Sequence, residues 1–278
     1  MSRRHLAWGA QNSSSTHRFF NYLGLVEFAL VATLAAGISG CDVVGCVLVA
    51  GMTSVGGGTI RDVLLGNTPI FWMTEYSYVL VILGVSLGTF FLWPRLSAKF
   101  GLTIDGEFVF WADTIGLAAA VVAGAAIGEA NHERVTVFAS AIAGTSTGCF
   151  GGIFRDVFLQ KPVRIMNSYL EIYASPCFLG ALATALIIRL CPSQHNTALL
   201  VGFFIVIALR VLAVTRDIRH PTMVTMRDDE VQTTTTPLSP KISPATRDMS
   251  SDKLAHGLDL PDDDGVRSPR SRTSTLSV

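Results

Sequence analysis

Apolar residues run along this chain in long blocks, without the two-residue alternation of a half-buried strand. A helix that crosses a bilayer needs about 20 mostly apolar residues. Seven blocks approach or exceed that length: about 20–40, 43–65, 76–93, 108–128, 135–159, 169–190 and 197–215. The polar gaps between them are short, the longest running from about Pro94 to Glu107. The pattern predicts an all-α integral membrane domain over 19–216, with a polar segment at 1–18 and a Ser/Thr/Pro-rich tail at 217–278.

A second pattern lies over the first. Gly57-Gly58-Thr59-Ile60-Arg61-Asp62-Val63-Leu64-Leu65 closes one block, and Gly151-Gly152-Ile153-Phe154-Arg155-Asp156-Val157-Phe158-Leu159 closes another. At an offset of 94, residues 51–66 and 145–160 agree at seven of sixteen positions. Duplication of this kind marks many transport folds. The repeats cover about 20–93 and 108–190, three blocks each, with 197–215 outside both. Three is an odd number of crossings, so the second repeat enters from the opposite side. The expectation is two inverted three-helix repeats plus a seventh helix, with Arg61 and Arg155 near opposite faces.

Composition narrows the class. Only 15% of residues are charged and 50% are hydrophobic, against roughly 25% charged in soluble domains. The formal net charge of +0 gives no basis for a nucleic-acid partner. Five scattered cysteines (Cys41, Cys46, Cys149, Cys177, Cys191) form neither a metal-ligand spacing nor a disulfide framework, and read as small buried apolar groups. Arg3 and Arg4 precede a polar Gln11-Asn12-Ser13-Ser14-Ser15 run rather than the apolar core of a secretory signal. The tail, with Thr233 to Thr236, Ser239-Pro240, Ser243-Pro244 and Asp262 to Asp264, is expected to be disordered. Its Ser-Pro and Thr-Pro steps suit phosphorylation on a cytosolic side. Counting Lys and Arg by side leans the same way, six against five.

The polar groups inside the blocks are the candidates for function. Gly56, Gly57 and Gly58, and Gly148, Gly151 and Gly152, lie late in the second and fifth blocks. Glycines there either kink the helix and open its backbone to a polar path, or let two helices pack closely. Arg61, Asp62, Arg155 and Asp156 are either a charged gate or a fold-locking set. Adjacent helical residues point about 100° apart, so each Arg and Asp is expected to pair with another helix. Glu27 stands mid-span among Leu23, Leu25, Val26, Phe28 and Leu30; it either binds a cation or is held neutral by its surroundings. Asp42 and Asp113 open their blocks. Thr53, Ser54, Thr145, Ser146 and Thr147 are candidate path-lining hydroxyls, although such groups commonly bond back to their own helix. No Gly-Lys-Ser/Thr loop, complete dinucleotide fingerprint, His pair or nucleophile elbow is present. The reading is therefore a non-enzyme without cofactor or metal.

Asp42-Val43-Val44-Gly45, Val55 to Gly66, Pro69 and Phe71-Trp72 also carry a resemblance, as do Asp113 to Leu117, Phe150 to Val157 and Glu171 to Ala174. In order and spacing these resemble the bacterial-type glycine-transporter-domain membrane proteins, relatives of the trimeric intracellular cation (TRIC) channels, over about 20–215. The resemblance implies a homotrimer with one permeation path per protomer, and kinks at Gly56 to Gly58 and Gly151-Gly152 in pore-lining helices two and five. It implies glycine or a monovalent cation (K⁺ or Na⁺) as solute, in a plasma or intracellular membrane. Phe150 stands where the first copy has Gly56, and Gln160-Lys161-Pro162 where it has Gly66-Asn67-Thr68. Two rival readings are an alternating-access carrier and a non-transporting scaffold that acts through its tail.

Overall fold

The computed structural model describes residues 15–103, 106–131, 133–166, 172–216 and 218. The chain divides into units 1–226 and 227–278, and every described residue lies in the first. The expected disorder of the tail concerns residues outside the described ones, Ile218 apart.

The described residues are helical, with no strand among them. Seven helices are long: α1 Ser15–Ile38, α2 Val43–Leu65, α3 Tyr76–Phe100, α4 Glu107–Ala130, α5 Val137–Phe158, α6 Ala174–Leu190 and α7 His195–Thr215. A single helical turn, Phe71–Thr74, lies between α2 and α3. All but α6 are long and apolar enough to cross a membrane; α6 is a shorter apolar helix of 17 residues.

Local chemistry sets several ends. The Asp42 carboxylate accepts from the Gly45 N–H, and the Thr136 hydroxyl accepts from the Ala139 N–H, so α2 and α5 open on side-chain caps. Gly66 closes α2 at φ 67° and Gly101 closes α3 at φ 64°, the left-handed conformation that glycine adopts without a Cβ penalty. The expected end of the third helix at residue 93 is corrected: α3 continues through Pro94 to Phe100. Proline removes one N–H from the ladder, and α3 is helical on both sides of it. The connection to α4 shrinks accordingly to residues 101–106.

α4 is the best-buried helix and packs against α1, α5, α6 and α7; α3 is the least buried. The difference is written in their side chains. The α4 segment Leu117 to Ile127 is mostly Ala, Val and Gly, which lets neighbours approach closely, whereas α3 turns Leu80, Leu87, Phe91 and Leu92 outward. The buried apolar residues form three clusters, one of which joins α1, α2, the Phe71 turn and α3.

Candidate functional site

α2 and α5 cross at their glycines, and the two helices meet reciprocally. A Cβ on Gly57 would strike the Thr147 carbonyl oxygen, and one on Gly151 would strike the Thr53 carbonyl oxygen. Thr53 and Gly57 correspond to Thr147 and Gly151 at the repeat offset. Each copy of the cassette therefore sets its glycine against the other copy's threonine backbone. Gly56 meets the Phe154 ring and Gly58 the Phe71 ring, while Gly152 has only the Arg155 Nη2 nearby, at 3.7 Å. Both helices run unbroken through these glycines.

The hydroxyls repeat the same arrangement. Thr53 Oγ1 donates to the Val49 carbonyl and Thr147 Oγ1 to the Ala143 carbonyl, each at 2.7 Å. Thr145 and Ser146 also donate within α5, to Ala141 and Ala143. Ser54 alone reaches another helix, over a long 3.5 Å to the Leu25 carbonyl. A small cavity of about 20 Å³ lies here, with Asn21, Ser54, Gly58, Arg61, Phe71 and Thr147 on its wall. That is room for about one water molecule.

The expectation that each Arg and Asp pairs with a different helix is corrected. Arg61 Nε donates to Asp62 Oδ1 at 2.8 Å, and Arg155 Nε to Asp156 Oδ1 at 2.8 Å. Each Nη2 lies 2.7 Å from the same oxygen. The 100° between neighbouring Cβ atoms fixes where two side chains start, and the long flexible stem of arginine closes the gap. The second carboxylate oxygen is what the expectation missed. Asp62 Oδ2 accepts the Phe71 N–H at 3.0 Å, and Asp156 Oδ2 accepts the Arg164 N–H at 3.1 Å. Each aspartate thus ties the end of its helix to the chain that leaves it. The turns match too: Asn67 N–H bonds to the Asp62 carbonyl and Lys161 N–H to the Asp156 carbonyl, both at 2.8 Å. Gln160 takes φ 52° where its counterpart Gly66 takes 67°. Arg61 also lies over the Phe71 ring, 5.3 Å from its centre. All four charged residues are buried.

A second charged cluster joins α4 to α7. Arg210 pairs with Asp113 at 2.5 Å, its guanidinium 4.5 Å from the Tyr173 ring centre and 5.6 Å from that of Phe110. Sequence reasoning found Asp113 and missed Arg210, whose only signal is a lone cation in the apolar run Phe203 to Val214. It also missed Arg189, which holds the buried Glu129 carboxylate at 2.6 and 3.1 Å and reaches the Val135 carbonyl. Glu27 is buried in α1, close to this second cluster rather than to the glycine crossing, with its side chain against Gly116 of α4.

The known proteins that this chain resembles are membrane proteins. The sequence pattern of the family described as glycine transporter matches residues 18–94 and 110–189. A UPF0126 membrane protein of Vibrio cholerae is 34% identical over 203 residues, 72% of this chain and 79% of that protein. The UPF0126 inner membrane protein YadS of Escherichia coli is 29% identical over 206 residues, 73% of this chain and 94% of that protein. Among solved structures, the TRIC trimeric intracellular cation channel orthologue from Rhodobacter sphaeroides superposes with a TM-score of 0.65 at 31% identity. It covers 74% of this chain and 100% of that one. A TRIC cation channel studied for its conductance gives 0.65 at 29% identity, covering 76% and 98%. Family pattern, relatives and fold agree, and the chain belongs to the glycine transporter family of multi-pass membrane proteins, with the fold of the TRIC channels.

Proposed function

We propose that this chain forms a permeation path for a small solute, glycine or a monovalent cation, between α2 and α5. Seven spans form two inverted three-helix repeats plus α7, and three chains assemble with one path each. The single observation that carries this reading is the reciprocal crossing, Gly57 on Thr147 and Gly151 on Thr53. Residue 53 meets 151 and residue 57 meets 147, so the two cassettes run antiparallel where they touch. A pseudo-twofold axis between antiparallel helices lies in the membrane plane, the relation inverted repeats require. The matching Arg61-Asp62 and Arg155-Asp156 pairs then fall toward opposite faces and frame the path at both ends.

Trimeric assembly and cation conduction are properties named for the TRIC relatives. The family description names glycine. Thr53, Ser54 and Thr147 line the path in this proposal, Gly56 to Gly58 and Gly151-Gly152 shape it, and the tail is cytosolic. The purified chain in liposomes, offered K⁺ in one arm and labelled glycine in the other, tests the proposal. Flux of one solute above empty vesicles is the expected result, and flux of neither removes it.

One observation favours a second reading. The cavity at the crossing holds about one water and is walled partly by Arg61, which suits an occluded carrier of the alternating-access kind. A carrier shows counterflow, in which unlabelled solute on one side drives labelled solute from the other, and an open channel does not.

A further inference from the structure

Glu27 is the anomalous ionisable group of this membrane domain. The residue is 6% exposed, and among the described residues neither carboxyl oxygen has a hydrogen-bond partner. It occupies space that a glycine provides: a Cβ on Gly116 would collide with the Glu27 Cβ, Cγ and Oε2. Among the described residues, the charged groups whose fields reach it are Asp113 from α4, Arg155 from α5, Arg164 from the turn beyond α5 and Arg210 from α7. All four charged groups already have partners. Arg210 is paired with Asp113 and flanked by two rings, and Arg155 is held by both its Nε and Nη2 on Asp156. Arg164 lies 3.9 Å from the same Asp156. Among the described residues, no arginine is seated on Glu27 itself.

A bare carboxylate buried without hydrogen bonds costs several kcal/mol, so it either takes a proton or takes a cation. The cavity at the α2–α5 crossing reaches the same two helices, α1 and α4, although Glu27 is not on its wall. Gly24 and Phe28 on α1 and Ala120 on α4 line that cavity.

We propose that Glu27 is an exchange site at which a proton and a monovalent cationic group compete. In one state of the site the carboxyl holds its proton. The O–H bond breaks, the proton leaves to water, and the two carboxylate oxygens receive the cation against the glycine face of α4. With an alkali ion one positive charge leaves and one arrives, so the site keeps its net charge; a zwitterionic amino acid brings its own carboxylate with its ammonium and leaves the site one charge more negative. The cationic group is an alkali ion or the ammonium of a small amino acid, which present the same single charge to a carboxylate. The inference rests on the permeation reading and adds to it a coupling to protons.

Two measurements separate this inference from the reading beneath it. In the first, KCl or glycine is added to full-length protein in weakly buffered detergent and released protons are followed with a pH indicator, with choline chloride as the ionic-strength control. The wild type should release about one proton per chain, and Glu27→Gln none; Glu27→Asp should retain release at higher ligand concentration. Release by KCl identifies the alkali ion, and release by glycine identifies the ammonium. Equal release from the wild type and Glu27→Gln, or release from neither, overturns the exchange site. In the second, liposome flux is measured across a pH gradient, where wild-type flux should respond to the gradient and Glu27→Gln flux should not. Flux without proton release removes the exchange site alone, while proton release without flux removes the permeation reading alone.

Discussion

Arg61 and Arg155 show how a buried charge is made tolerable inside a membrane protein. Each guanidinium is neutralised by the next residue, and that residue's other oxygen accepts a backbone N–H eight or nine positions on. Removing one partner strands the other, which costs about 3–5 kcal/mol for a buried pair. Asp62→Asn and Arg61→Met should each destabilise the detergent-solubilised protein on that scale. The double variant should lose clearly less than the sum, with a coupling of about 1–3 kcal/mol. Additive losses would mean that Arg61 finds its real partner elsewhere. The position of these residues was legible in the sequence, because a charge in an apolar block stands out. Their pairing was not, since it depends on how far a flexible side chain folds back and on a backbone N–H that only the turned chain delivers. Arg210 was illegible for a related reason: its partner Asp113 lies 97 residues away in sequence.

At the scale of helices, the glycines are not equivalent, although the cassette repeats them. Gly57 and Gly151 each face a backbone carbonyl of the opposite helix, whereas Gly152 faces open space apart from the Arg155 Nη2. A backbone cannot move aside as a side-chain tip can, so alanine at 57 or 151 forces the helices apart. Gly57→Ala and Gly151→Ala should cost about 1–3 kcal/mol as overpacking and lower the yield of assembled protein. Gly152→Ala should be neutral or stabilising by up to about 1 kcal/mol, because alanine is the better helix former. Heating each variant in detergent and following the folded fraction by size-exclusion chromatography ranks them. An equal loss at all three positions would show that helix geometry, and not the crossing, sets their role. The helices themselves were largely readable from apolar length, and their ends less so. Pro94 reads as a stop and is carried inside α3. The repeat pointed to Gly57 and Gly151 as a related pair, but which glycine touches which threonine is settled only by how α2 and α5 cross.

For the whole molecule, α6 decides how many times the chain crosses the bilayer. At 17 residues it spans about 26 Å at 1.5 Å per residue, slightly short of a hydrocarbon core of about 30 Å. The two native loop cysteines report on it. Cys41 joins α1 to α2, and Cys191 follows α6; Cys41 is partly exposed and Cys191 exposed, while Cys46, Cys149 and Cys177 are buried. If α6 crosses, five helices separate the two loops and they fall on opposite faces. If it lies within one leaflet, only four crossings separate them and both fall on the same face. Inverted repeats require the first outcome, since each repeat must contribute three crossings. The experiment is labelling with a membrane-impermeant maleimide in sealed vesicles of one orientation, using Cys41→Ser and Cys191→Ser to assign each signal. One cysteine should react before the membrane is opened and the other only afterwards. Simultaneous labelling would leave six spans, place both ends of the helical domain on one side, and reduce the reciprocal glycine crossing to a local packing motif.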